Sequence, residues 1–370
     1  MNLTRLSSSF AAALAALSAA CVSSDDADSL ELADETQAVE QAPLKIYVSP
    51  TGNDSNLGLT PGSAVKTLQR VNTILDENLH FDEASWTGGN VEVRIAPGTY
   101  YGQEVVWSAI NPLRSITFLP LNDDNVRPVF NGCASATAEV PKQCTANYFF
   151  SIRRAGATNL NFKYIRVERY NNGFSFRGES YQSNESNTLY GVYLYRIGTK
   201  YTNFADGSFG ALNISASDYN RVENSHFINI ESKSGGHLHA IYMSNGSDEN
   251  YVARNRFSTS NGVALKLRND NWWNVFEYNT FSKDGEGEWA AAYLDLPSAG
   301  EKSSCQSVFR NNTLDGQYDC ATRLPAFRIG PSTLDDGNTC NDLINPSTGA
   351  PYRQLSTSNN TDDGIQCNND

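Results

Sequence analysis

The sequence predicts an all-β solenoid built from short stacked strands. Three observations predict it: an apolar–polar–apolar unit recurs, a second strand lies between successive units, and both repeat with the same irregular period. Because a coil buries its inward residues only against neighbouring coils, such a repeat favours a stack over a compact globule. The last apolar residues of the units recur every 24 to 33 positions, at Val167, Ile197, Phe227, Phe257, Phe281 and Leu314.

The unit places a polar or turn residue three positions after its first apolar residue and another apolar residue two positions later. Asn255, Asn279 and Asn312 stand at the middle position, where asparagine tolerates left-handed backbone angles and its amide can bond to the next coil. We interpret these asparagines as structural. The copies are Val222/Ser225/Phe227, Val252/Asn255/Phe257, Phe276/Asn279/Phe281 and Phe309/Asn312/Leu314. Two weaker copies precede them: Phe162/Ile165/Val167 and Val192/Tyr195/Ile197.

The second strand of each coil has two apolar residues that flank one outward residue, because side chains alternate across a strand. The apolar pairs are Phe174/Phe176, Leu212/Ile214, Ile241/Met243, Leu265/Leu267, Leu294/Leu296 and Phe327/Ile329. The predicted outward column therefore reads Ser175, Asn213, Tyr242, Lys266, Asp295 and Arg328.

The segment before the repeat predicts a strand at Leu44–Val48, a loop and then a helix that caps the first coil. One face of that helix is marked by Val65, Leu68, Val71, Leu75 and Leu79.

Three stretches, IYVSPTGND at 46–54, KTLQ at 66–69 and VRIAPGTY at 93–100, resemble the opening of proteins of the pectate-lyase-like superfamily. Together with the repeats, the resemblance extends over residues 44–330. It implies a right-handed parallel β-helix and an exported polysaccharide lyase, glycoside hydrolase or surface protein. Fold alone does not choose among these functions.

The N-terminus is typical of an export signal, because Arg5 precedes an apolar run too short to span a bilayer. The stretch LSAAC at 17–21 resembles a bacterial lipoprotein cleavage box that would lipidate Cys21, and ordinary signal-peptidase release is the alternative. We expect location in the bacterial cell envelope through a lipid anchor, or secretion. The predicted segments are a signal at 1–21, an acidic disordered linker at 22–43, the β-helix at 44–335 and a C-terminal tail held by disulfides at 336–370.

Six further cysteines form an even set in a chain that leaves the reducing cytosol, which predicts disulfides. Sequential pairing is the simplest of the pairings that the sequence leaves open. It would join Cys133 to Cys144, Cys305 to Cys320 and Cys340 to Cys367.

The net charge of −13 provides no basic field for a nucleic acid backbone, so nucleic acid is excluded as an expected partner. We expect a monomer that binds polysaccharide. An acidic glycan would need local lysine or arginine, or a bridging cation, so calcium remains an open cofactor.

The densest outward cluster of reactive groups comprises Tyr242, Lys266, Arg268, Asp295 and Arg328. A uronate lyase removes the proton beside a carboxylate, neutralises the enolate-like charge and protonates the leaving oxygen. Lys266 could be the base, Arg268 could neutralise the carboxylate and Tyr242 could relay a proton. The alternative is a charge ladder that keeps an exposed strand soluble.

Residues 323–328 read RLPAFR and resemble the Arg-x-Pro-x-x-Arg motif of pectate lyases. The resemblance implies that Arg323 is the base and that Arg328 supports it. The aspartates that bind calcium beside this motif in that family have no clear counterparts here, so the assignment stays open.

His239 could act in acid–base chemistry or bind a metal. It shares the parity of Ile241 and Met243, however, which favours an inward, packed and hydrogen-bonded histidine. Hydrolysis would need two carboxylates across the glycosidic bond, and the polygalacturonase-type motifs are absent as a set.

Several aromatic residues lie near these coils and could stack on pyranose rings, although loop packing explains them equally well. With Asn213 they form the expected substrate-binding set: Trp272, Trp273, Trp289 and Tyr293. We therefore expect a polysaccharide lyase acting on an acidic glycan, with a non-catalytic glycan-binding or adhesion module as the alternative.

Overall fold

The computed structural model describes residues 41–82, 86–122, 126–179, 182–205, 207–234, 238–283, 292–294, 301–302, 304–316, 327–329, 355–362 and 365–366. They form a right-handed parallel β-helix, which confirms the predicted fold class. Each coil contributes one strand to each of three long sheets, and neighbouring coils pair in parallel. Among the described residues, no helix is both long and apolar enough to span a bilayer.

The first sheet has ten strands, in the order in which they occur along the chain. They are Leu44–Val48, Val91–Ile95, Ile116–Pro120, Leu160–Lys163, Thr188–Tyr190, Arg221–Glu223, Tyr251–Ala253, Val275–Glu277, Ser307–Arg310 and Leu355–Ser358.

In the described part of the chain the second sheet also has ten strands, and the last of these pairs antiparallel to its neighbour. They are Thr99–Tyr101, Val129–Asn131, Arg166–Glu168, Tyr193–Ile197, His226–Ile230, Arg256–Ser260, Thr280–Lys283, Thr313–Gly316, Thr361–Asp362 and Ile365–Gln366.

The third sheet has eight strands, and a small fourth sheet has three. The third contains Val105–Trp107, Tyr148–Arg153, Asn172–Arg177, Gly210–Ser215, His239–Ser244, Leu265–Arg268, Ala292–Leu294 and Phe327–Ile329. The fourth contains Gly156–Ala157, Asn184–Glu185 and Ser217–Asp218.

The inward residues of successive coils stack in columns that fill the interior. Phe227, Phe257 and Phe281 lie one above another, with ring centroids 4.9 and 4.8 Å apart. This is the spacing of hydrogen-bonded strands, so each ring packs on the ring of the next coil.

The predicted weaker copy Val192/Tyr195/Ile197 is in the wrong register. Val167 and Phe227 both pair with Leu194, so the copy is Leu189/Val192/Leu194 and does not end at Ile197. In this early coil the bend position is filled by Val192 rather than by asparagine. The apolar pattern therefore fitted more than one register.

Asn255, Asn279 and Asn312 are buried and form the predicted hydrogen-bonded ladder between coils. The backbone N–H of Asn255 donates to Oδ1 of Asn279 at 2.9 Å, and that of Asn279 donates to Oδ1 of Asn312 at 2.8 Å. The expectation that they adopt left-handed angles is wrong. The preceding residues, Arg254, Tyr278 and Asn311, have φ of 57°, 55° and 54°. The chain turns at an outward residue, and the next side chain then enters the interior.

The predicted helix is present as the α-helix Leu68–Thr73, which continues into a π-helical turn at Ile74–Asn78. Leu68, Val71 and Leu75 are buried in the same core as the first strand, as the pattern indicated. Asp54 fixes the loop before the helix, because its Oδ1 accepts the N–H groups of Lys66 and Thr67 at 2.7 and 3.0 Å. The two most N-terminal of the three stretches that resemble the superfamily are thus held together structurally. Short 3₁₀ turns lie at Pro61–Ser63 and Thr199–Tyr201.

The predicted disulfide between Cys133 and Cys144 is present. Cys305 is also disulfide-bonded. The remaining cysteines, Cys320, Cys340 and Cys367, lie outside the described residues, as do Cys21, the export signal and nearly all of the acidic linker.

Candidate functional site

The third sheet presents an outward column of side chains along successive coils. Its register pairs Ser175 with Asn213, Asn213 with Tyr242 and Tyr242 with Lys266, which confirms that part of the predicted column. A parallel column two residues later contains Arg177, Ser215, Ser244 and Arg268. These two columns form the floor of the candidate site.

The prediction that Asp295 lies opposite Lys266 is wrong. The strand Ala292–Leu294 pairs Lys266 with Tyr293, and Tyr293 with Arg328. A shift of two residues preserves the alternation of a strand, so the apolar pattern could not choose between the two registers. Asp295 itself lies outside the described residues, and only the backbone positions of Tyr293 and Arg328 are described.

A groove with a volume of about 390 Å³ runs over this floor. Phe209 is 56% exposed at its edge, and its ring centroid lies 5.8 Å from that of Tyr242. Together they give the groove an aromatic wall. The other lining residues are mainly amides, hydroxyls and arginines: Tyr148, Ser175, Arg177, Asn213, Ser215, Ser244, Asn245, Arg268, Asn269 and Glu301.

Arg268 already has a carboxylate partner in the groove. Its Nε donates to Oε1 and Oε2 of Glu301 at 3.0 and 2.8 Å. A sugar carboxylate would therefore have to compete with Glu301 for this guanidinium. Of the described residues, those that line the groove include Arg268 and Tyr242 but not Lys266, which is partly exposed two residues before Arg268 on the same strand.

Arg177 and Tyr148 lie toward the N-terminal end of the groove. Burial raises the pKa of Tyr148, and the positive charge of Arg177 partly opposes that rise. Tyr148 therefore stays a neutral hydrogen-bonding phenol at physiological pH. Asn213, one coil further on from Ser175, donates from Nδ2 to the Gly210 carbonyl at 3.0 Å.

His239 is packed and hydrogen-bonded, as the burial argument favoured. It is 3% exposed, its Nδ1 lies 3.0 Å from the Val263 carbonyl, and its ring stacks 5.7 Å from that of Tyr242. The expectation that it points inward with Ile241 is wrong. Ala240 and Ile241 are consecutive core residues, so the alternation breaks between them and His239 lies on the side of Tyr242.

The two adjacent tryptophans lie at a turn between the third and first sheets. Trp272 is partly buried and donates from Nε1 to Asp270 at 2.8 Å. Trp273 is 48% exposed and lines a separate pocket of about 540 Å³ with Glu249, Tyr251 and Val275. Trp273 thus lines a pocket other than the groove.

Sequence reasoning missed Phe209, Tyr148 and Glu301, although all three line the groove. Phe209 and Glu301 lie in connections between strands, where no periodic pattern marks them. Of the remaining predicted site residues, Trp289 and Arg323 lie outside the described residues. Within the described residues, no group of three or more histidine, cysteine, aspartate or glutamate side chains could hold a metal ion.

No protein-family model and no curated protein matches the sequence. Similar solved structures include an alginate lyase from Paenibacillus sp. str. FPU-7, at 14% identity and a TM-score of 0.46, with 73% of this chain and 76% of that chain covered. They also include pectate lyase Pel9A, at 12% identity and a TM-score of 0.45, with 81% and 79% covered.

A third similar structure is the GH136 lacto-N-biosidase from Eubacterium ramulus, at 12% identity and a TM-score of 0.43. That likeness covers 73% of this chain and 56% of the other. At this level of similarity, the fold assignment rests on the strand pairings of the chain itself.

Proposed function

We propose that the protein is an exported carbohydrate-active β-helix that binds a glycan in the groove of the third sheet. The observation that carries this proposal is the aromatic wall of Phe209 and Tyr242 beside rows of amide and hydroxyl side chains. Aromatic faces stack on the apolar faces of pyranose rings, and amides and hydroxyls bond to sugar hydroxyl groups. Arg177 adds a cation that favours an acidic glycan.

The most concrete activity for this groove is a polysaccharide lyase. In that reaction Lys266 would take the proton from the carbon beside the uronate carboxylate, and the electron pair would form a carbon–carbon double bond as the glycosidic bond breaks. Tyr242, on the neighbouring strand, would give its proton to the leaving oxygen. Arg177 or Arg268 would neutralise the carboxylate.

A non-catalytic glycan-binding or adhesion module is the second candidate. It is favoured by the contact of Arg268 with Glu301 and by the packing of His239, because both groups then serve the structure of the groove. In that case Phe209 and Tyr242 would bind sugar with no proton transfer.

A lyase assay separates the two candidates. The full chain is incubated with pectate, alginate and glycosaminoglycans, with and without calcium, and the ultraviolet absorbance of unsaturated products is followed. The lyase proposal expects a rise in absorbance on one uronate polymer and its loss in Lys266→Ala. Binding without any rise in absorbance supports the adhesion module, and full activity of Lys266→Ala shows that another residue is the base.

We also propose that the chain is exported and either anchored through Cys21 or released by signal peptidase. Mass spectrometry of the mature N-terminus distinguishes a lipidated Cys21 from an unmodified N-terminus. An intact N-terminal signal on the mature protein would contradict both routes.

A further inference from the structure

The second sheet carries a cluster of arginines on its outward side, although the chain as a whole is acidic. Arg166, Tyr193, His226 and Arg256 pair in register on four neighbouring strands. Three strand spacings give this row a length of about 14 Å. We call the cluster the basic face; it comprises Arg127, Arg166, Arg169, Arg196 and Arg256 with Tyr193, Tyr195 and His226.

The aromatic rings of the basic face are covered by cations and by each other. The guanidinium of Arg127 lies 4.3 Å from the ring centroid of Tyr193, and the ring of His226 stacks on Tyr193 at 4.3 Å. The guanidinium groups of Arg166 and Arg196 lie 4.6 and 4.8 Å from the ring centroid of Tyr195. Such stacking orients a guanidinium and leaves the N–H groups at its edge able to bind an anion.

The carboxylate of Glu168 is already paired with arginines of the basic face. Glu168 has an 8% exposed side chain and pairs with Arg166 at 2.5 Å and with Arg169 at 2.7 Å. Within the part of the chain that the structure describes, no carboxylate lies within ion-pair distance of Arg127, Arg196 or Arg256. The basic face therefore has positive charge that its own described residues do not neutralise.

We propose that the basic face binds an acidic polysaccharide, whose carboxylates pair with Arg127, Arg196 and Arg256. Guanidinium groups bind carboxylates through two parallel hydrogen bonds. The covered rings of Tyr193 and Tyr195 leave little face for a neutral sugar or a nucleobase to stack on, so charge is the feature that this surface recognises. In the groove, by contrast, the ring of Phe209 is exposed and a sugar can stack on it.

His226 reports on occupancy of the basic face. Burial, followed by the charges of Arg256 and Arg127, lowers its pKa. A carboxylate bound between these arginines offsets their charge, so the pKa of His226 should rise when the polymer binds.

The test is binding of the full chain to polygalacturonate, measured by retention on the immobilised polymer over a salt gradient. The double variant Arg196→Gln with Arg256→Gln should weaken binding by about tenfold at low salt. The matched control is Arg221→Gln with Arg254→Gln on the first sheet, which removes the same charge and should change retention little. Histidine resonances of the wild-type chain, titrated with and without polymer, give the second readout.

Equal loss in the control pair would show that overall charge, and not the basic face, governs binding, which overturns the proposal. Unchanged retention of the double variant at an unchanged melting temperature would also overturn it, as would tighter binding of a duplex oligonucleotide than of polygalacturonate. Phe209→Ala in the groove separates this proposal from the proposed function. Retention lost in Phe209→Ala alone is binding through the groove, whereas retention lost in Arg196→Gln with Arg256→Gln alone is binding through the basic face.

Discussion

The buried asparagine ladder and the outward column of the third sheet run through the same coils but use their polar side chains differently. Asn279 is 1% exposed and bonds within the fold on both sides, to the coil before it and to the coil after it. Tyr242 and Lys266 occupy equivalent positions on neighbouring strands, but they are partly exposed beside a groove. One stack thus carries both a buried structural column and an outward column that borders a groove. Substitutions should therefore change stability in the first and binding in the second.

The largest expected effect is that of Asn279→Ala in the ladder. The change removes the acceptor for the backbone N–H of Asn255 and the donor to the Val252 carbonyl, which lies 2.9 Å away. Because these groups are buried, we expect a loss of about 3 kcal/mol in the free energy of unfolding, measured by urea denaturation. Asn161→Ala, on the outer side of the first sheet, is the control and should cost less than about 0.5 kcal/mol. Equal losses would show that Asn279 in the ladder contributes no more to the free energy of unfolding than the outward Asn161 does.

Asp248→Asn should stabilise the protein, because burial and three neighbouring carboxylates disfavour the charged form of Asp248. Burial raises the pKa of Asp248 to about 7, the backbone N–H of Trp272 partly opposes the rise, and Asp218, Asp270 and Glu249 add to it. Since the folded-state pKa is above the usual value, the stability that Asp248 contributes is present below about pH 4 and is lost as the pH rises to about 7.

The variant should therefore be more stable than the wild type by about 2 kcal/mol at pH 8, and the gain should vanish toward pH 4. An asparagine at this position can still accept the hydrogen bond from the Trp272 N–H. Thermal melting at a series of pH values measures the gain. A gain that is the same at every pH would contradict the electrostatic cause.

The smallest expected effect on stability, but a clear effect on binding, is that of Phe209→Ala. Phe209 is exposed, so its loss should leave the melting temperature nearly unchanged while glycan affinity in the groove falls about threefold to tenfold. Trp273→Ala is the matched control, because Trp273 has similar exposure but lies in the separate pocket. Calorimetric titration with the best glycan measures both variants. If Trp273→Ala weakens binding as much as Phe209→Ala does, the site is not confined to the groove.

The predicted coils and much of the outward column are correct because the buried apolar positions recur in every coil and so repeat along the sequence. The inward phenylalanines, the asparagine ladder and the helix face all follow from which side chains must leave water. Errors came where the pattern allowed two registers, as at Leu194 and Asp295, or where a bend broke the alternation, as before Ile241.

The candidate site was predicted less completely than the fold. Tyr242, Arg268 and Asn213 line the groove as expected, but the partner of Arg268 and the exposed ring of Phe209 come from connections of irregular length. No local pattern could show that residues 209 and 301 meet the same groove. The basic face was missed for the same reason, since its arginines are spread from residue 127 to residue 256.

By itself, the sequence determined that the chain is a stack of coils, which apolar residues fill its interior and that Asn255, Asn279 and Asn312 join one coil to the next. These properties depend on burial, which acts on each coil in nearly the same way and therefore repeats along the chain. Only the tertiary structure decided which outward side chains become neighbours. That choice depends on strand register and on the paths of the connections, both of which differ from coil to coil.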